Sequence, residues 1–145
     1  MVKILNYLKL FWLSMRKEIE STPVSNYIIA KYLDKASKYS ERLDNKYTTC
    51  DLEKLKVLVK LIPIRKQKYS TEHDCNKFAY EFYALIKNIF PTLAIGICHV
   101  KTKKGLHAMN WCIYKNKVGG LTFSYLEPQE GKISYYNYSP YFMVI

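Results

Sequence analysis

Hydrophobic positions in the first part of the chain recur at helical spacing. A first helix is predicted over about residues 2–19, on a stripe made of Ile4, Leu8, Phe11, Trp12 and Met15. A second helix follows Pro23, and its predicted inward side consists of Tyr27, Ile28, Tyr32 and Leu33. A third begins near Asp51, whose carboxylate can cap it, and its predicted inward residues are Leu52, Leu55, Leu58 and Val59. The polar stretch 37–49 is predicted to be a loop.

The pattern changes after Pro63, where a longer helix is predicted from the first turn around Cys75 to about Ile89. Asp74 can cap this helix, alone or in a capping box with Thr71, and Pro91 ends it. One side of the helix is predicted to face the core and consists of Cys75, Phe78, Ala79, Phe82, Ile86 and Ile89.

The remainder of the chain alternates as strands do. Four strands are predicted, at about residues 93–100, 106–114, 121–128 and 132–138, separated by turns that contain glycine. Helices followed by an antiparallel meander indicate an α+β fold, with N-terminal helices and a central cysteine-bearing helix packed on the sheet. We predict one domain over residues 1–145, with a helical part at 1–62 and a core at 63–145.

The second and third predicted strands bring a histidine and a carboxylate together. If their turn centres on Lys117, His107 lies opposite Glu127, and a slip of two residues leaves them diagonal neighbours. By alternation they share a largely apolar face that also carries Trp111. We expect the helix that begins at Cys75 to cover this face.

Such an arrangement supplies the parts of a nucleophilic site. A thiol at a helix N-terminus can act as nucleophile, a nearby imidazole as base, and a carboxylate as the group that orients the imidazole. The predicted catalytic residues are therefore Cys75, His107 and Glu127. The backbone N–H of Cys75 is one candidate oxyanion donor, and Tyr69 and Gln129 are alternatives for a second. Trp111 is a candidate for shielding the ion pair or positioning a substrate, with a plain core residue as the alternative.

Three short motifs carry a family resemblance. The three motifs are Asp74-Cys75 followed by Phe78-Ala79, the segment 105–110 (GLHAMN) and the segment 127–129 (EPQ). They are similar to motifs of small bacterial and phage transglutaminase-like cysteine proteinases. These belong to the papain-like and transglutaminase-like superfamily. The resemblance covers about residues 69–133, and Leu106 departs from the family pattern by separating the glycine from the histidine.

The resemblance implies an enzyme. A cysteine hydrolase or acyltransferase would act on an amide or ester of a protein or peptide-like substrate, through a thioester on Cys75 and without a cofactor. The net charge of +11 leaves a second class open: a non-catalytic basic protein, of phage or mobile-element origin, that binds nucleic acid or an acidic protein. A structural virion or assembly component is a third alternative.

The four cysteines indicate the compartment and bear on metal binding. Cys50, Cys75, Cys98 and Cys112 form no C-x-x-C pair, so we interpret them as free thiols of a cytoplasmic protein, in a host cytoplasm if the chain is viral. No metal site is predicted, because the cysteines and histidines of the strands alternate between faces. The apolar N-terminus is interpreted as a helix rather than a signal peptide, since Asn6 and Lys9 interrupt it, and no segment has the length of a membrane span.

Overall fold

In the computed structural model of the protein, structure is described for residues 22–34, 36, 39–42, 45–61, 70–71, 74–134 and 138–145. The predicted helix at about residues 2–19 and the segment 62–69 lie outside these ranges. Strands account for 43% of the described residues and helices for 31%. None of the described helices is long and apolar enough to span a membrane.

Three helices are described, and each begins where a side-chain oxygen meets the backbone N–H groups of its first turn. Helix α1 covers Asn26–Leu33, and the Ser25 hydroxyl accepts from the Ile28 N–H at 3.4 Å. Helix α2 covers Leu52–Leu61, and Asp51 accepts from the Lys54 N–H at 3.0 Å. Helix α3 covers Cys75–Ile89, and Asp74 accepts from the N–H groups of Asn76 and Lys77 at 3.0 and 3.2 Å. These findings confirm the predicted caps Asp51 and Asp74.

Within the described residues, eight strands form two sheets. Strands β1 (Thr22–Val24) and β3 (Tyr47–Thr49) make a two-stranded antiparallel sheet. The other six form one sheet in the order β2-β8-β4-β5-β6-β7. They are β2 (Tyr39–Glu41), β4 (Ile95–Thr102), β5 (Gly105–Lys115), β6 (Leu121–Glu127), β7 (Lys132–Ser134) and β8 (Ser139–Val144). Strand β2 pairs with β8 in parallel, and the other neighbours are antiparallel.

The predicted α+β fold class, with a papain-like or transglutaminase-like core of helices on an antiparallel meander, is wrong for this structure. Strands outnumber helices, and the sheet is mixed because β2 joins it in parallel. Strand β8, which the sequence pattern did not predict, lies between β2 and β4. The predicted loop at 37–49 is also wrong, since it contains β2 and β3. Their three-residue length gives too few alternating positions to be recognised.

Both faces of the large sheet are buried, and this corrects the predicted position of α3. Phe78, Phe82 and Ile86 of α3 cluster with Cys112 and Leu126 on one face. The opposite face carries Met109, Trp111 and Ile113, which cluster with Ile29 and Leu33 of α1. Helix α3 therefore covers the face opposite to the one predicted. On α1 itself Ile29 and Leu33 are buried, whereas Tyr27, predicted to face inward, is 76% exposed.

Candidate functional site

The N-terminus of α3 meets the ends of β4, β5 and β6 at an open groove of about 960 Å³. It is lined by Cys75, Thr102, Lys103, Lys104, Leu106, His107, Gln129 and Tyr138. Cys75 lines this groove as the first residue of α3, whose start is fixed by the Asp74 cap. His107 reaches it because it lies near the start of β5, beside the two-residue turn from β4.

Strands β5 and β6 bring His107 and Glu127 into direct contact. The register pairs Asn110 with Leu126, so His107 and Glu127 are diagonal rather than directly opposite. This is the two-residue slip that the sequence allowed, and the side chains still meet. His107 Nε2–H donates to Glu127 Oε2 at 2.6 Å, and Glu127 Oε1 accepts from the Gln129 N–H at 3.3 Å. Both carboxylate oxygens of Glu127 are thus engaged.

The environment of His107 favours the imidazolium form. The hydrogen bond to Glu127 is the largest contribution and raises the pKa of His107 to about 9, against the opposing effect of partial burial. The charge of Glu127 and the nearby Cys75 side chain act in the same direction as the Glu127 hydrogen bond. Since Nε2 is engaged by Glu127, Nδ1 is the ring nitrogen that stays available to a group in the groove. Cys75 and His107 line the same groove, and Glu127 supports the imidazole.

Asn110 fixes the helix that carries the thiol to the sheet that carries the imidazole. Its side-chain Nδ2 donates to the Ala79 carbonyl of α3 at 3.0 Å and to the Gly96 carbonyl of β4 at 3.1 Å. Asn110 is fully buried, where hydrogen bonds to the backbone are costly to lose. The first turn of α3 also offers the positive end of the helix dipole, which favours negative charge near Cys75.

A nucleophile next to an imidazolium is what this arrangement provides chemically. Cys75 is partly exposed, while Cys50, Cys98 and Cys112 are free and buried. Burial raises the pKa of the Cys50 thiol to about 12 and also raises the pKa of Cys98 and Cys112. These three thiols are therefore held in their protonated, unreactive form.

The other predicted site residues fall in different places. Gln129 lines the groove, whereas Tyr69 lies outside the described residues. Trp111 is buried in the core on the α1 side, where its indole N–H donates to the Val144 carbonyl at 3.0 Å, and it does not line the groove. The backbone N–H of Cys75 is at the first helical position, where an N–H has no acceptor within the helix.

Sequence reasoning missed the part of the groove that the β4–β5 turn supplies. Lys103, Lys104 and the 58% exposed Leu106 line it, together with Tyr138 from the segment before β8. The basic cluster at 101–104 and its closeness to His107 were the available signals. In the described part of the chain, no three His, Cys, Asp or Glu side chains are grouped so as to hold a metal ion.

Comparisons with known proteins place the fold beside a lectin. No protein-family profile and no curated protein sequence matches this chain. A solved structure described as the PSL1a–E64 complex matches 85% of the chain with a TM-score of 0.69 and 20% identity. The lectin of Polyporus squamosus, bound to the human-type influenza-binding epitope Neu5Acα2-6Galβ1-4GlcNAc, matches 78% with a TM-score of 0.62 and 21% identity. The match spans about half of those chains, 51% and 45% of their lengths.

These findings correct the family and the function predicted from the sequence. One of the similar structures is of a lectin, and neither is described as a papain-like or transglutaminase-like proteinase, so on this finding that family prediction is wrong. The same finding overturns the predicted cysteine hydrolase or acyltransferase and the predicted enzyme as such. The predicted partners are contradicted as well, because the Polyporus squamosus lectin is bound to a glycan. Those partners were a peptide-like substrate, nucleic acid and an acidic protein.

Proposed function

We propose that the protein is a ligand-binding protein whose groove holds its ligand at a reactive thiol. The single observation that carries this proposal is that Cys75 lines an open groove together with His107, whose imidazole is bound by Glu127. His107 and Glu127 are 28% and 17% exposed, so the ion pair is partly protected from solvent while the groove stays accessible. A free, partly exposed cysteine beside an imidazolium is suited to capture of an electrophile.

In this proposal each residue has a defined task. The Cys75 sulfur attacks as the thiolate, after its proton has passed to solvent, and a bond forms between sulfur and an electrophilic carbon of the bound ligand as the bond from that carbon to an oxygen breaks. His107 gives its proton to that oxygen, and Glu127 keeps the imidazole oriented and supports its charge beforehand. A similar structure is a complex with E64, which makes E64 a compound to test on this groove. One ligand is captured per thiol.

The test is the labelling rate of individual cysteines. The intact protein is treated with iodoacetamide between pH 5 and 9, and separately with E64, and peptide mass spectrometry assigns the modified residue. We expect Cys75 to react much faster than Cys50, Cys98 and Cys112, because those three thiols are buried. His107→Ala should remove this advantage. Equal and slow labelling of all four cysteines would overturn the proposal.

Glycan binding is the second candidate, supported by the glycan on the Polyporus squamosus lectin. The groove offers the Tyr138 ring and the Gln129 amide, an aromatic face and a polar group of the kind that sugars contact. Titration calorimetry with Neu5Acα2-6Galβ1-4GlcNAc tests it. We expect Tyr138→Ala to weaken binding and Tyr80→Ala, which changes a 49% exposed tyrosine on α3, to leave it unchanged. Absence of heat with the unmodified protein would reject this candidate. Location in the cytoplasm stays a prediction.

A further inference from the structure

The groove has a one-sided charge. Among its lining residues Lys103 and Lys104 are cationic, and His107, with a pKa of about 9, is cationic at neutral pH. No carboxylate belongs to the lining among the described residues. Glu127 lies behind His107 and is engaged by it and by the Gln129 N–H. Asp74, which precedes Cys75, is engaged as the cap of α3.

The two lysines are held at the rim by a structured turn. Thr102 pairs with Gly105 across the β4–β5 hairpin, so Lys103 and Lys104 are its two loop residues. The Thr102 hydroxyl donates to the Gly105 carbonyl at 2.8 Å and accepts from the Lys104 N–H at 3.2 Å. Gly105 has φ of +117°, which favours glycine at this position. The hairpin thus presents both ammonium groups beside the groove.

We propose that the natural ligand is a small carboxylate-bearing electrophile, whose carboxylate is bound by Lys103 and Lys104 while its reactive carbon lies at Cys75. This inference rests on the proposed function, since it names the ligand class for the same site. Two ammonium groups and an imidazolium favour an anion over a neutral ligand of equal size. The number of cations suits one or two negative charges.

A pair of reagents with the same reactive carbon separates charge recognition from thiol reactivity. Iodoacetate and iodoacetamide are both attacked at the CH₂ carbon, where a C–S bond forms and iodide leaves, but iodoacetate alone carries a carboxylate. The measured quantity is the ratio of the two labelling rates at Cys75, taken at pH 7 and low salt. We expect this ratio to fall about five- to tenfold in a Lys103→Glu, Lys104→Glu double variant, because two positive charges in the groove lining become negative. A salt concentration of about 0.5 M should reduce the difference.

A matched control makes the same change of net charge elsewhere. Lys46→Glu with Lys117→Glu alters two exposed lysines, one beside β3 and one in the β5–β6 turn, away from the hairpin. In this control variant the ratio of the iodoacetate and iodoacetamide labelling rates at Cys75 should equal that of the unmodified protein. The milder Lys103→Gln, Lys104→Gln variant should give a smaller fall in this ratio. It replaces the Lys103→Glu, Lys104→Glu variant if that variant does not fold. An unchanged ratio with fast labelling of Cys75 overturns this inference alone. Slow labelling by both reagents overturns the proposed function and this inference with it.

Discussion

Replacing Glu127 by Gln tests the central contact of the site. The carboxylate is the main cause of the raised pKa of His107, through a hydrogen bond of 2.6 Å. An amide of the same shape keeps the packing and removes the negative charge. We expect the imidazole of His107 to titrate near or below its ordinary pKa of 6.5 in the variant, compared with about 9 in the unmodified protein.

The size of the effect follows from the pKa. The difference between 6.5 and about 9 corresponds to about 3 kcal/mol between the two protonation states. His107 is 28% exposed, so solvent screening reduces the expected contribution to stability to about 1–2 kcal/mol. Because the folded pKa lies above the unfolded one, this contribution is fully present below pH 6.5 and is lost as the pH rises through about 9.

Two measurements on the same variant check this reasoning. NMR titration of the imidazole protons, assigned with a His107→Ala variant, gives the pKa directly. Urea unfolding at pH 6 and pH 10 gives the free energies, and the fall between the two should be about 1–2 kcal/mol larger for the unmodified protein than for Glu127→Gln. Glu130→Gln is the matched control, since Glu130 is exposed and bonds Lys132 instead. If His107 titrates alike with and without the Glu127 carboxylate, the reasoning is refuted.

Three further substitutions test how the site is supported. Asn110→Ala should lower the free energy of unfolding, measured with urea, by about 2–4 kcal/mol, because two buried hydrogen bonds are lost. Asn88→Ala, on the exposed side of α3, should change it little. Gly96→Ala places a Cβ 2.0 Å from a backbone oxygen, so the midpoint temperature of unfolding should fall sharply, or the protein should fail to fold. Gly120→Ala, 3.3 Å from a side-chain amide, should be tolerated. Burial lowers the pKa of His99, so the unmodified protein should lose stability as the pH falls below 6.5. The His99→Leu variant should lose less stability over the same pH range, and equal losses would contradict this reasoning.

Local features of the sequence predicted the elements that carry the candidate site. The cap at Asp74, the stop at Pro91 and the turns around β5 gave α3 and the central strands nearly within their observed bounds. The contact between His107 and Glu127 was predicted because diagonal neighbours meet in either register. Each of these features depends on residues close together in the chain or on one hairpin.

Long-range features could not be predicted in the same way. Alternation showed which residues of β5 share a face, but both faces are buried, so it could not show which face α3 covers. The short strands β2 and β3 and the insertion of β8 depend on partners distant in sequence. The comparisons contradict the predicted family. Three short motifs describe only a local arrangement of residues, and similar arrangements occur in proteins of different function.

The insertion of β8 between β2 and β4 has a consequence for biogenesis. As the nascent chain leaves the ribosome, β4 to β7 can pair with one another in the order of their synthesis. Among the described strands, β2 and the outer edge of β4 pair only with β8, and an open edge favours pairing with other chains until β8 has emerged. Tyr138 immediately precedes β8 and lines the groove, so the ligand site is completed at the same late step. Chaperones that cover strand edges would act on this protein during that interval.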